Sequence, residues 1–167
     1  MSRRALLEGL ALGAGAAATG AAVWPLVAGA IDPLIDESSS ADAPWVEVAG
    51  EKEIRAGAPL KATIRVPVRD GFFTTLVELG AVWLMRAGDG RIAALSATCP
   101  HLGCGIGLEP KGGFACPCHA SRFGADGGYL KGPSPRDMDP LPVRIVEARV
   151  LVQALRFATG TKARRPI

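Results

Sequence analysis

Two short segments, Cys-Pro-His-Leu-Gly-Cys at residues 99–104 and Cys-Pro-Cys-His-Ala-Ser at residues 116–121, decide how this chain is interpreted. All 4 cysteines and both histidines of the 167-residue chain lie in these two segments. Structural cysteines would be scattered along the chain, so this clustering indicates that the thiols and imidazoles serve one site. Thiolate and imidazole together suit zinc or iron, whereas magnesium and calcium prefer oxygen ligands.

The sequence on both sides of these segments has the patterns of β-strands. Strand-like alternation or short apolar runs occur at residues 45–48, 62–66, 82–85, 92–95, 143–146 and 150–152. A Gly-Asp-Gly turn at residues 88–90 separates two of these runs and predicts a hairpin. Residues 99–142 are rich in glycine and proline and have little periodicity. The chain is therefore predicted to be an all-β scaffold that holds a loop-rich site.

The N-terminal part predicts a membrane anchor. Residues 9–31 carry no charge, and about 20 predominantly apolar residues suffice to span a bilayer as a helix. Arg3 and Arg4 resemble a twin-arginine export signal and favour a cytoplasmic N-terminus. Residues 1–31 are therefore predicted to be a signal and transmembrane α-helix. A cleaved signal peptide is the alternative, because Ala-Gly-Ala at residues 28–30 fits a cleavage site after Ala30.

The rest of the chain divides by composition. Residues 32–44 are polar and aperiodic, which indicates a linker, either a passive tether or a hinge. Residues 45–160 form the predicted domain, and residues 161–167 are a C-terminal tail. The net charge of +3 includes basic residues at both ends of the chain, and no basic stripe with interleaved aromatic residues is present. Nucleic acid is therefore excluded as a partner.

The two cysteine-containing segments resemble the Rieske motif, Cys-x-His-x-Gly-Cys followed by Cys-x-Cys-His-x-Ser. The resemblance implies an antiparallel β-sandwich with a loop-rich cluster-binding subdomain and one [2Fe–2S] cluster. It also implies that Cys99 and Cys116 bind one iron and that His101 and His119 bind the other. Neutral imidazoles in place of two thiolates remove negative charge, so such a cluster accepts an electron more readily than an all-cysteine cluster.

The resemblance further implies a disulfide between Cys104 and Cys118, which joins the two segments. A disulfide persists outside the cytoplasm and agrees with the predicted export. Rieske ferredoxins and the Rieske domains of ring-hydroxylating oxygenases usually lack this pair, so its presence argues against both classes.

Several neighbouring residues also match the family. The positions concerned are Leu102, Ser121, Phe123, Gly132, Pro133, Ser134 and Pro135. By resemblance, Leu102 shields the cluster, the Ser121 hydroxyl bonds a bridging sulfide, and Gly-Pro-Ser-Pro at residues 132–135 is a stiff lid over the cluster. Phe123 replaces the tyrosine of high-potential members, which predicts a lower potential suited to menaquinol. Ala120 replaces the usual glycine.

Residues 18–27 resemble the anchor of the Rieske subunit in bacterial cytochrome bc complexes. This implies a single-pass protein of the bacterial cytoplasmic membrane whose cluster domain lies on the periplasmic side. The chain would carry electrons from a membrane quinol to a c-type cytochrome, beside a cytochrome b subunit. His119 would contact the quinol and accept its proton. Catalysis would require the assembled quinol–cytochrome c reductase, because the chain alone is an electron carrier.

Two alternatives remain open at this level. The first is the small Rieske subunit of a molybdenum oxidase such as arsenite oxidase, a class that also uses twin-arginine export. The second is a zinc site in a surface domain, built from Cys99, His101, Cys116 and His119. The zinc hypothesis leaves two cysteines and the lid unexplained, and the anchor and lid favour the cytochrome bc class over the molybdenum oxidase.

Overall fold

The computed structural model describes residues 43–167. The predicted anchor at residues 1–31 and residues 32–42 of the predicted linker lie outside this range. The described elements are β1 (Trp45–Gly50), a turn of 3₁₀ helix (Glu51–Glu53), β2 (Leu60–Asp70), β3 (Phe73–Arg86), β4 (Ile92–Ser96), β5 (Gly107–Leu108), β6 (Phe114–Ala115), β7 (Arg122–Phe123), β8 (Tyr129–Lys131), β9 (Pro140–Leu141), β10 (Val143–Val146) and β11 (Arg149–Gln153). Within residues 43–167, no helix is long and apolar enough to cross a membrane.

The strands form three sheets, ordered β1-β11-β10, β2-β3-β4-β9 and β5-β6-β7-β8. Every neighbouring pair is antiparallel. The predicted all-β class is thus confirmed, together with the β3–β4 and β10–β11 hairpins. The small third sheet was not predicted, because strands of two or three residues leave no periodicity in the sequence.

The central sheet is apolar on both faces because each face covers a separate hydrophobic core. Val82 and Leu84 of β3 point into a core shared with the β1-β11-β10 sheet. Trp83, between them, points into a second core that includes Cys99 and Cys116. Successive side chains of a strand point to opposite faces, so a strand buried on both sides needs a continuous apolar run.

Trp83 also attaches the site to this sheet. Its indole N–H donates a buried hydrogen bond to the carbonyl of Ile106 at 3.1 Å. Its ring lies 5.4 Å from that of Phe114 on β6, measured between centroids. A buried indole needs such a hydrogen-bond partner, and the contact fixes the cysteine-bearing subdomain on the central strands.

The β2–β3 hairpin extends beyond the cores. A register shift follows Ile64, and the pairing continues as far as Asp70 and Phe73. The tip carries Phe72, which is 99% exposed, and Phe73, which is 78% exposed. The sequence pattern predicted only residues 62–66 and 82–85 of this hairpin, because the part of each strand near the tip has no buried face to impose alternation.

Candidate metal centre

Each cysteine-containing segment folds into a closed six-residue loop. In the first loop, the N–H of Cys99 donates to the carbonyl of Cys104 at 2.7 Å. In the second loop, the N–H of Cys116 donates to the carbonyl of Ser121 at 2.8 Å. A proline follows the leading cysteine in both loops and restricts the backbone at the same step. The two loops are therefore built alike, and the sequence motif encodes their shared shape.

The fifth residue of each loop adopts a left-handed backbone. Gly103 has φ of 82°, and Ala120 has φ of 59°. Glycine adopts this conformation freely, whereas alanine brings its Cβ too close to the backbone. The substitution at Ala120 therefore stores strain in the second loop.

The structure joins Cys104 and Cys118 in a disulfide, which is the pairing that the resemblance implies, with Cα atoms 6.5 Å apart. The sulfur of Cys116 lies within 4.8 Å of both disulfide sulfurs. These three sulfurs do not form a metal site, because two of them are already bonded to each other. Cys99 and Cys116 remain as free, buried thiols.

The two free thiols lie together in the second core, with Cys99 fully buried. Burial raises the pKa of the Cys99 thiol, and the neighbouring Cys116 raises it further. Hydrogen bonds from the backbone of His101 and from the Ser121 hydroxyl lower the pKa of Cys99 in part. Two adjacent buried thiolates would repel each other without a cation, so this arrangement fits a thiolate-bound metal.

The two histidines meet at the outer side of the loops. The centroids of His101 and His119 lie 4.9 Å apart, and the rings meet edge to face at 87°. At this separation both imidazoles can reach a single iron. His101 is half-buried, whereas His119 is exposed. The donors thus divide into an inner pair of thiols and an outer pair of imidazoles, which fits a [2Fe–2S] cluster with mixed ligands.

The predicted lid lies against the second loop. A Cβ built on Gly132 would come within 2.5 Å of the Ser121 Cα, so only glycine fits at this contact. Ser121 is fully buried, and its hydroxyl accepts a hydrogen bond from the N–H of Ser134 at 3.1 Å. The lid is therefore packed and hydrogen-bonded against the loop that holds His119.

Two further residues predicted at the site, Leu102 and Phe123, differ in their exposure to solvent. Leu102 lies at the tip of the first loop and is 62% exposed. Phe123 is buried in the same core as Cys99 and Cys116. The structure thus places Leu102 at the protein surface and Phe123 in the buried core that holds the two thiols.

The residues that hold the lid at its two ends could not be recognised in the sequence. At the start, the hydroxyl of Tyr129 donates to the Gly132 carbonyl at 2.5 Å. At the other end, Arg136 forms a buried ion pair with Asp139. Neither contact belongs to a motif. Burial of an arginine and an aspartate three residues apart emerges only from the packing around them.

Comparison with known proteins identifies relatives of this chain. Residues 44–147 match the family model of the Rieske [2Fe–2S] domain. The menaquinol:cytochrome c reductase iron–sulfur subunit of Geobacillus thermodenitrificans is 30% identical over 81% of this chain and 80% of that protein. The ubiquinol–cytochrome c reductase iron–sulfur subunit of Cereibacter sphaeroides is 32% identical over 85% of this chain and 89% of that protein.

A solved structure also matches, that of the cyanobacterial plasma membrane Rieske protein PetC3 from Synechocystis PCC 6803. The identity is 31%, and the match covers 55% of this chain and 84% of that chain with a TM-score of 0.42. The family model covers more than half of the chain, and two curated relatives reach 30% identity or more over most of their lengths. The chain therefore belongs to the Rieske [2Fe–2S] family, and its homologues include the iron–sulfur subunits of cytochrome bc-type complexes.

Proposed function

We propose that this chain is the electron-transfer subunit of a quinol–cytochrome c reductase. It would take one electron from a membrane quinol and pass it to a c-type cytochrome. The observation that carries this proposal is the exposed His119 in edge-to-face contact with His101, on the same two loops as two buried free thiols. The relatives in Geobacillus and Cereibacter, whose names are those of quinol–cytochrome c reductase subunits, support the same function.

The proposed iron ligands follow from the separation of the buried thiols from the more exposed imidazoles. Cys99 and Cys116 would hold the inner iron as thiolates, and His101 and His119 would hold the outer iron through one ring nitrogen each. Once bound, a [2Fe–2S] cluster takes up and releases single electrons. The disulfide between Cys104 and Cys118 keeps the two ligand-bearing loops together.

His119 is the proposed contact for quinol. Its second ring nitrogen is free to accept a hydrogen bond from a quinol hydroxyl and then to take the proton. His101 is half-buried and therefore less open to a substrate. The exposed Leu102 offers an apolar surface beside the histidines for the quinol ring or for the cytochrome b subunit. The second electron of the quinol would go to cytochrome b.

The quinol is proposed to be a low-potential one such as menaquinol. Phe123 brings no hydroxyl to the core that holds Cys99 and Cys116, so a bound cluster would have one hydrogen bond fewer than with tyrosine at this position. The menaquinol:cytochrome c reductase relative in Geobacillus supports this choice.

The proposed location is the bacterial cytoplasmic membrane. Residues 9–31 would anchor the chain in the lipid bilayer as a single span, with the N-terminus in the cytoplasm and the cluster domain outside. The disulfide supports an oxidising compartment for this domain.

Purification of the native complex from membranes tests the proposal. We expect acid-labile sulfide, a Rieske-type electron paramagnetic resonance signal after reduction, haem b in the partner, and quinol-dependent reduction of a c-type cytochrome. Molybdenum in place of haem b would instead assign the chain to a molybdenum oxidase. A colourless protein without inorganic sulfide would reject both functions.

A further inference from the structure

The lid at residues 132–135 is held against other parts of the domain by a buried ion pair between Arg136 and Asp139, the Arg136–Asp139 clasp. The Nε and Nη2 atoms of Arg136 each donate to one carboxylate oxygen of Asp139 at 2.8 Å. Both side chains are 5% exposed. This planar, two-bond contact fixes the guanidinium, and it does so directly after the second proline of the lid.

The same guanidinium also binds the C-terminal segment. It donates to the carbonyl of Ala158 at 2.9 Å and to the carbonyl of Thr161. Within this segment, the N–H of Gly160 donates to the carbonyl of Pro100 in the first loop at 2.8 Å. A continuous set of hydrogen bonds therefore links the lid, the C-terminal segment and the first loop.

The lid contacts the site through Ser134, which is itself buried. Its side-chain hydroxyl donates to the Arg136 carbonyl at 2.8 Å, and its backbone N–H donates to the Ser121 hydroxyl at 3.1 Å. A hydroxyl has a single proton, so the Ser121 oxygen that accepts from Ser134 must direct its own proton away from the lid. Ser121 is fully buried and its carbonyl closes the loop on the N–H of Cys116, so the sulfurs of the two buried thiols are the acceptors available on that side.

We propose that Ser134 is a positioning residue, whose backbone N–H, held in place by the Arg136–Asp139 clasp, orients the Ser121 hydroxyl toward the ligand sulfurs. This inference rests on the ligand assignment proposed above. The lid then does more than cover the site, because its closed position sets a hydrogen bond on which the reduction potential depends. Donation to a sulfur stabilises added negative charge, so the oriented hydroxyl raises the potential.

The backbone donor can be removed selectively by the variant Ser134→Pro, since proline has no N–H. We expect the equilibrium constant for reduction in the purified holoprotein to fall about two- to tenfold, the range of one neutral hydrogen bond. A tenfold fall equals about 59 mV for a one-electron couple. Ser134→Ala retains the N–H and is the matched control, expected to stay closer to the wild-type potential than the proline variant. Equal potentials in the wild type and Ser134→Pro would overturn the inference.

A double-mutant cycle separates orientation of Ser121 from a general loosening of the lid. In a Ser121→Ala background, Ser134→Pro should produce no further fall in potential, because the hydroxyl that it orients is gone. Additive falls would overturn the inference and indicate that Ser134 acts by another route. If Ser134→Pro fails to fold, Arg136→Gln provides the same test, since release of the clasp should lower the potential only when Ser121 is present.

Failure of this inference can be distinguished from failure of the proposed function. The Rieske-type spectrum of the wild-type protein reports the ligand set, and the potentials of the variants report the orientation of Ser121. A normal spectrum with invariant potentials would reject the role of Ser134 and leave the ligand assignment standing.

Discussion

At the scale of single residues, the fifth position of each cysteine-containing loop has the same backbone requirement but a different side chain. Gly103 and Ala120 both have positive φ, so only the second loop carries the conformational penalty of a Cβ. A Cβ at Gly103 would meet no atom closer than 4.0 Å. The cost at this position is therefore conformational and not steric.

Exchange of these two residues is expected to have opposite effects. Ala120→Gly should raise the free energy of unfolding by about 1 kcal/mol, because it relieves a left-handed alanine. Gly103→Ala, the matched control, should lower it by about the same amount. Denaturant unfolding of the two variants measures both changes. A loss of stability in Ala120→Gly would contradict the strain assigned to the second loop.

A second expectation concerns Phe123, which is buried beside the free thiols. Phe123→Tyr should raise the midpoint potential of the cluster, because a phenol hydroxyl can donate to a ligand sulfur. Redox titration of the holoprotein measures the change. An unchanged or lower midpoint would remove the argument that this position favours a low-potential quinol.

At the scale of loops and strands, three segments form the candidate metal centre, namely the two cysteine-containing loops and the lid. Gly132 is in close contact with the second loop, because a Cβ built on it would come within 2.5 Å of the Ser121 Cα. Backbone atoms cannot yield as a flexible side chain can, so the lid seats fully only when residue 132 lacks a Cβ.

Gly132→Ala should therefore lift the lid. We expect the free energy of unfolding to fall by about 1–3 kcal/mol, as in overpacked cores, and the cluster to be lost faster to a chelator. Gly112→Ala is the control, because Gly112 also has positive φ but a Cβ there meets nothing within 4 Å. Equal losses in both variants would attribute the effect to backbone strain and not to contact with Ser121.

The disulfide is the covalent link between the same two loops, at a sequence separation of 14. Replacement of both Cys104 and Cys118 by serine should lower the free energy of unfolding by about 3 kcal/mol in the chain-entropy model. Unfolding of the wild type with and without reductant provides an independent comparison. If the double variant kept full stability, the core and the lid alone would hold the loops together.

At the scale of the whole molecule, the first described residues are already tied to the sheet. The carbonyl of Pro44 accepts a hydrogen bond from the N–H of Ala154 at 2.9 Å. The carbonyl of Ala43 accepts one from the Gln153 side chain at 3.3 Å. A hinge between anchor and domain, if this chain uses one, must therefore lie before residue 43.

Stiffening that segment tests the hinge hypothesis. Replacement of Ser38, Ser39 and Ser40 by prolines should slow reduction of the cytochrome, because the domain would move less freely between its partners. The cluster spectrum should stay unchanged and serves as the control for an intact site. Rapid-mixing measurements on the assembled complex give the rate, and an undiminished rate would exclude a hinge at these residues.

The sequence by itself determined the family and the candidate ligands of the site. Its two segments carry every thiol and imidazole of the chain, and their spacing encodes two closed loops of the same shape. Strand patterns near residues 82–95 and 143–152 predicted the scaffold because burial imposes alternation or continuous apolar runs on local sequence. The ligand segments and the strand patterns are local, so they can be recognised in the sequence alone.

Only the tertiary structure decided which contacts hold the lid against the loops and how far each histidine is exposed. The burial of the Arg136–Asp139 clasp against the C-terminal segment, the contact of Gly132 with Ser121, and the exposure of His119 all depend on packing between separate elements. A buried ion pair and an exposed imidazole look like ordinary polar residues in a sequence. Their environment is set by packing between elements, and the local sequence pattern does not indicate that packing.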